Sequence, residues 1–265
     1  MTTLPVPPRS AVSWASPAPA AAGRTAGPGA WPVLLTTPSG HDADLWLLRL
    51  PHAMPARHEL DLAVLDANEQ RRADSFVHAA DRAGYAAAHI AVRKVLGAYL
   101  GLPPTAVRFR RDTCPCCGGP HGRPTQLAAP PPYFSLAHSG GVVLIGVAGT
   151  PVGVSVERLP SPPTVSAVSG VLPTPERAEV SAAAPERRAA VFARLWARRQ
   201  AVQKGRGDAE AEAAPGWCVT DFPVDGAHVA VAVRRAAAKP EGRVTLHELG
   251  PRGVLARPGR HRGTR

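Results

Sequence analysis

Lysine is nearly absent from this chain: only Lys94, Lys204 and Lys239 stand among its 31 basic residues, and the rest are arginine. Aromatics make up 5% and methionine two residues, while charged residues reach 19%, against roughly 25% in ordinary folded chains. No apolar run approaches the roughly 18 residues of a membrane-spanning helix, so a helical membrane protein is excluded. The four cysteines, three of them at 114, 116 and 117, form no disulfide framework and point to a reducing compartment. No basic segment followed by an apolar stretch opens the sequence, so no secretory signal is expected and the cytoplasm is the expected location.

What is abundant is proline (30) and glycine (25), and both cluster. Residues 1–42, rich in Pro, Ala, Gly, Ser and Thr without periodicity, are expected to be disordered. The 265 residues leave room for one or two domains with a real core. A net charge of +11 favours a polyanionic partner: a phosphate-rich cofactor, an acidic protein or nucleic acid. Five of those charges fall in residues 251–265, which carry no acid and are expected to be a disordered basic tail. A nucleic-acid role is disfavoured, because no stacking-aromatic motif accompanies the charge.

Between the ends, local patterns propose an order of elements. LWLLRL (45–50) suits a buried strand. From Asp81, Tyr85, Ala88, Val92, Val95, Leu96 and Tyr99 recur at helical spacing, with Arg82, Arg93 and Lys94 off that stripe; Gly101, Pro103 and Pro104 stop the helix. Residues 112–132 form a Cys/Gly/Pro-rich loop. GVVLIGVAG (141–149) fits a strand buried on both faces, and VGVSVE (152–157) alternates, Val152, Val154 and Val156 against Gly153, Ser155 and Glu157. A loop is expected over 158–173, then a helix from Pro175 capped by Thr174. A second helical tract after Pro185 carries Val191, Leu195 and Val202 with Phe192 and Trp196 beside them, ended by Gly205 and Gly207. WCVTDF (217–222), HVAVAVRR (228–235) and VTLHEL (244–249) close the fold as strands. Helix, strands, helix, strands implies α+β in two similar halves, 43–150 and 151–250.

Several polar groups suggest chemistry. Ser155 and Glu157, roughly 6.6 Å apart on one strand face, could share a hydrated cation, and the wet side of an edge strand gives the same letters. Gln200 and Lys204 are neighbours on one helix face and could meet a diphosphate, or simply be a polar helix surface. His138 and Ser139, before two glycines, suit phosphate or purine, as does the fork of Arg123 in Gly122-Arg123-Pro124; a polar turn is the alternative for the former. Cys114, Cys116, Cys117 and His121 are a conceivable zinc set, although a compact Gly/Pro-shaped loop explains them better. Cys218 suits a buried strand position.

Taken in order, LDANEQRRADSF (65–76), DRAGYAAAHIAVR (81–93), GRP (122–124), FSLAHS (134–139), VGVSVE (152–157) and WARRQAVQK (196–204) resemble the motif series of the surfactin-type 4′-phosphopantetheinyl transferases. The resemblance spans residues 43–250 and implies that family's α+β fold, with two halves in a pseudo-twofold arrangement. It also implies Mg²⁺-dependent transfer of the phosphopantetheine arm of coenzyme A to a serine of an apo acyl or peptidyl carrier protein by a monomer, as in secondary metabolite biosynthesis. By position, Glu157, Ser155 and Gln200 would be the metal ligands, with Glu157, Gln200 and Lys204 catalytic. Arg72, Arg123, His138 and Ser139 would hold the coenzyme. The chain departs from the family at Ser155, where an Asp is usual, at Gln200, where a Glu is usual, and at Ala137, where a Ser is usual. One carboxylate of three therefore remains, and glutamine cannot act as a general base. A weakened or silent relative that binds coenzyme A or a carrier protein in a regulatory role is the alternative.

Overall fold

The computed structural model describes residues 34–51, 57–113, 117–119, 124–126, 132–207, 216–234 and 242–256. Strand β1 (Ala43–Arg49) is followed by helix α1 (Ala67–Asp74) and the long helix α2 (Ala79–Leu100). A short ribbon, β2 (Phe109–Arg111) with β3 (Pro124–Gln126), precedes β4 (Tyr133–Ser139), β5 (Val142–Ala148) and β6 (Val152–Arg158). Helices α3 (Pro162–Val168), α4 (Thr174–Ala182) and α5 (Arg188–Arg206) follow, then β7 (Trp217–Val224), β8 (Ala227–Arg234), β9 (Val244–Leu249) and α6 (Pro251–Leu255). No helix among the described residues is long and apolar enough to cross a membrane.

Two main sheets result, ordered β4-β5-β1-β9 and β6-β8-β7. They stack face to face between outer helices. Leu45, Leu47 and Leu144 of the first sheet meet Val152, Val154, Val156, Val229 and Val231 of the second. On the outer side of the first sheet, Trp46, Leu48, Val143 and Ile145 pack against Ile90, Val92, Val95 and Leu96 of α2. Helix α5 covers the second sheet through Ala197 and Ala201 against Ala230 and Ala232. The fully buried strand β5 and the alternation in β6 emerge as their patterns require.

Helix α2 stops at Gly101, whose φ of 64° is left-handed, and α5 at Gly207, whose φ is 80°. A closer constraint holds at Gly153. A Cβ there would fall inside contact with the carbonyl oxygen of Ala201 and sit 2.9 Å from the Cα of Gly205, so β6 and α5 touch backbone to backbone.

Several expectations need correction. Disorder does not run to residue 42: the Leu35 amide donates to the Ala98 carbonyl at 2.9 Å, the Arg243 amide donates to Asp42 Oδ1 at 2.7 Å, and His41 is buried. Arg93 and Lys94 lie off the apolar stripe of α2, yet both are buried. Arg93, fully enclosed, donates from Nε to Glu69 Oε2 and from Nη2 to Asp66 Oδ2, each at 2.7 Å. Lys94 pairs with Asp61 at 3.2 Å and donates to the Val254 carbonyl at 2.7 Å. Residues 158–173 are not all loop. Helix α3 forms there because Ser161 caps it, accepting from the Thr164 amide, and prolines suit a first helical turn. Helix α4 starts one residue early, with Pro173 rather than Thr174 at the cap.

The remaining two corrections concern the C-terminal segment. The basic tail does not begin at 251: Val254 and Leu255 of α6 are buried, and Asp61 N donates to the Leu255 carbonyl at 2.8 Å. Strand β9, assigned by position to the second half, instead pairs in parallel with β1 of the first sheet. The chain thus returns to its beginning, and a simple cut at residue 150 does not separate the two sheets.

Candidate functional site at the seam of the two sheets

Strands β4 and β6 are edge strands of different sheets that lie side by side. On β4, Phe134 and Leu136 face the α2 core while Ala137 faces the inter-sheet core, so alternation puts His138 on the outer, α2 side. On β6, the Val152, Val154 and Val156 row faces inward, which turns Gly153, Ser155 and Glu157 out toward α5. At the bend between the sheets, His138 and Glu157 therefore share one surface, flanked by α2 and α5.

Ser155 is fully buried, and its hydroxyl donates to Glu157 Oε1 at 3.0 Å. Burial pushes the Glu157 carboxyl above its ordinary range; the Ser155 hydrogen bond and the charge of Lys204 pull it back. Burial pushes the Lys204 ammonium down, and the Glu157 carboxylate opposes that shift. The close Gly153 contact fixes the distance between β6 and the last turns of α5, where Lys204 sits. Gln200 is half-buried one turn before Lys204 on the same helix face.

His138 is lowered by desolvation, then by the like charges of Lys204 and His89. His89 stacks on Tyr85 with ring centroids 4.1 Å apart, and its Nδ1 lies 2.9 Å from Glu69 Oε1. Tyr85 also packs on Phe76, ring centroids 5.4 Å apart, and the Arg72 guanidinium lies 5.1 Å above the Phe76 ring. An arc of polar groups thus runs Arg72, Tyr85, His89, His138, Lys204, Glu157, along the α2 side and across the seam. The structure brings together Glu157, Ser155, Lys204 and His138, with Arg72 at the far end of that arc. Ser139 is elsewhere: its Oγ accepts from the Arg158 amide at 3.4 Å. Arg123 lies outside the described residues, as do Cys114, Cys116 and His121 of the conceivable zinc set.

Sequence reasoning missed His89, Glu69 and Arg158. His89 and Glu69 stood inside quoted motifs, but only their long-range pairing reveals a role. Arg158 follows Glu157 and packs its stem over Gly140 in the β4–β5 turn. Beside Glu157, a groove of about 310 Å³ opens between β6 and α5, lined by Arg158, Pro160, Val168, Phe192 and Trp196. Among the described residues no three His, Cys, Asp or Glu side chains converge on one metal-binding point. The oxygens shown together here are the Glu157 carboxylate and the Ser155 hydroxyl. That set suits a hard cation which also takes oxygen ligands from a phosphate, as Mg²⁺ does.

No family model matches the chain. It is 27% identical over 216 residues to the 4′-phosphopantetheinyl transferase HetI of Nostoc sp., covering 72% of this chain and 87% of that relative. It is 35% identical over 91 residues to the 4′-phosphopantetheinyl transferase AcpT of Salmonella typhi, covering 34% of this chain and 47% of that protein. A 4′-phosphopantetheinyl transferase of Bacillus subtilis matches at 22% over 146 residues, 55% of this chain and 62% of its own length. Sequence order, mixed α+β architecture and these relatives support the 4′-phosphopantetheinyl transferase family for this chain.

Proposed function

We propose that this protein transfers the 4′-phosphopantetheine arm of coenzyme A to a serine of an acyl or peptidyl carrier protein. The observation that carries the reading is the seam cluster: Ser155 donates to Glu157 at 3.0 Å, and Lys204 on α5 lies close enough to act electrostatically on both Glu157 of β6 and His138 of β4. In this reading the two sheets with their outer helices correspond to the two halves of the surfactin-type fold. The protein acts as a cytoplasmic monomer.

Glu157, Ser155 and Gln200 are the residues that would hold Mg²⁺, which when bound supplies positive charge to the diphosphate of coenzyme A. Lys204 neutralises charge on the phosphoryl group being transferred, from a fixed, partly desolvated position where an ammonium acts more strongly than in water. His138 and Arg72 hold the nucleotide. The carrier serine oxygen forms a bond to the pantetheine-side phosphorus as the bond to the adenosine 3′,5′-bisphosphate oxygen breaks. The serine proton passes to Glu157, whose raised affinity for protons suits it to that role. Gln200 orients and does not accept a proton. The groove beside Glu157 receives the approaching carrier. The net positive charge of the chain favours both the anionic coenzyme and an acidic carrier surface.

The test is direct. Purified protein, coenzyme A, Mg²⁺ and an apo carrier protein should yield a carrier heavier by one phosphopantetheine, on its serine. No conversion with several carriers over hours defeats the transferase reading. The buried Ser155, neutral where an acid is usual, favours a second reading in which coenzyme A or the carrier binds without turnover. Calorimetric binding without a mass gain would select it.

A further inference from the structure

Strands β4 and β6 lie edge to edge, yet among the described residues no backbone ladder joins them, and each belongs to a different sheet. Two serine hydroxyls do the joining. Ser135 Oγ accepts from the Val154 amide at 3.1 Å, in a buried position, and Ser139 Oγ accepts from the Arg158 amide at 3.4 Å. The increments match, four residues on each strand, so the two strands run parallel and in step. That register, 135 with 154 and 139 with 158, sets residue 138 across the seam from residue 157. The stitches therefore determine which residue His138 faces.

We propose that Ser135 and Ser139 are positioning residues that hold His138 opposite Glu157. Ser139 thereby acts on the reaction through the seam, with no contact to the nucleotide. The physical reason is the missing ladder. Where adjacent strands share backbone hydrogen bonds, register is fixed many times over; here two hydroxyls and the packing of the inter-sheet core fix it. Ser135, Ala137 and Ser139 point to the inner side of the bend, and His138 to the outer side, by simple alternation. Displacement by one alternation, two residues, would carry His138 about 6.6 Å along the strand, past any shared ligand. The inference rests on the transferase reading for its kinetic consequence and on the seam alone for its structural one.

The test uses the full chain with Ser139→Ala, Ser139→Thr, Ser135→Ala and the double alanine variant. Adenosine 3′,5′-bisphosphate binding without Mg²⁺ is followed by calorimetry, and carrier loading gives kcat and KM. Exchange of the Val154 and Arg158 amides is read by NMR. The expected result for Ser139→Ala is a fall in kcat of about three- to tenfold, the size of one lost hydrogen bond. Its nucleotide affinity should stay within about twofold of wild type, by the same measure. Exchange at Arg158 should speed up, and Ser139→Thr, which keeps the hydroxyl, should restore both kcat and protection.

A drop in nucleotide affinity matching that of His138→Ala would make Ser139 a direct contact and overturn the inference. So would an unchanged kcat in a folded double variant. If Ser135→Ala does not fold, the more accessible Ser139 pair of variants carries the test. If the wild type transfers nothing, the transferase reading fails by itself. Amide exchange then decides the seam: faster exchange at Val154 and Arg158 in the alanine variants supports it, and unchanged exchange refutes it.

Discussion

Gly153→Ala adds one methyl group at the point where β6 meets α5 backbone to backbone. The new carbon would overlap the carbonyl oxygen of Ala201 and sit 2.9 Å from the Cα of Gly205. Rotating a side chain aside gives no relief, because the three nearest atoms are all main chain. Helix α5 must retreat by about an ångström, or the strand must buckle, and such overpacking costs about 1–3 kcal/mol. For a chain of this size that is a fall of about 2–12 °C in Tm. The functional penalty should be larger. Lys204 rides on α5 and Glu157 on β6, and a misplacement of about an ångström between reacting groups can cost roughly 10²-fold in rate. The assay pairs a thermal melt with carrier loading, and Gly253→Ala, which meets nothing within 4 Å, is the control. Wild-type Tm and loading rate in Gly153→Ala would refute the contact and the site geometry that depends on it.

Arg93→Ala should cost about 3–5 kcal/mol in a denaturant titration, since it leaves Glu69 and the cap residue Asp66 without their shared buried cation; a loss under 1 kcal/mol would contradict the network. The double change Ser155→Asp with Gln200→Glu should raise Mg²⁺-dependent transfer by about 10–100-fold, the worth of charged rather than neutral ligation. It should also lower Tm in the absence of Mg²⁺, because two carboxylates then crowd β6, and a double variant without activity would argue for the silent reading. Lys204 is charged below its pKa, and burial lowers that pKa. Affinity for coenzyme A, which carries the phosphoryl group that Lys204 would meet, should therefore begin to fall, as pH rises, below the usual lysine range. Lys204→Arg should flatten that fall, and identical profiles would remove Lys204 from the phosphate contact.

Much of the framework is legible in the letters. The apolar run of β5, the Val/Gly-Ser-Glu alternation of β6, the α2 stripe and the glycine that ends each long helix are local signals, and local physics produces those elements. The resemblance in motif order implies a shared site for Glu157, Lys204 and His138, but nothing local in the sequence relates β6, α5 and β4 to one another.

What the tertiary structure alone decided concerns partners distant along the chain. Arg93 and Lys94 look like surface residues by periodicity, since an apolar stripe records average exposure and cannot see an ion pair. They are buried because Glu69 and Asp66, 24 and 27 residues away, and Val254, 160 residues away, come to meet them. The return of β9 to β1 and the docking of α6 are likewise invisible to any short window, because pairing belongs to two segments at once. Ser139 shows the same limit at the site: beside His138 it reads as a ligand contact, and only the neighbouring edge of β6 reveals that its oxygen accepts a backbone amide.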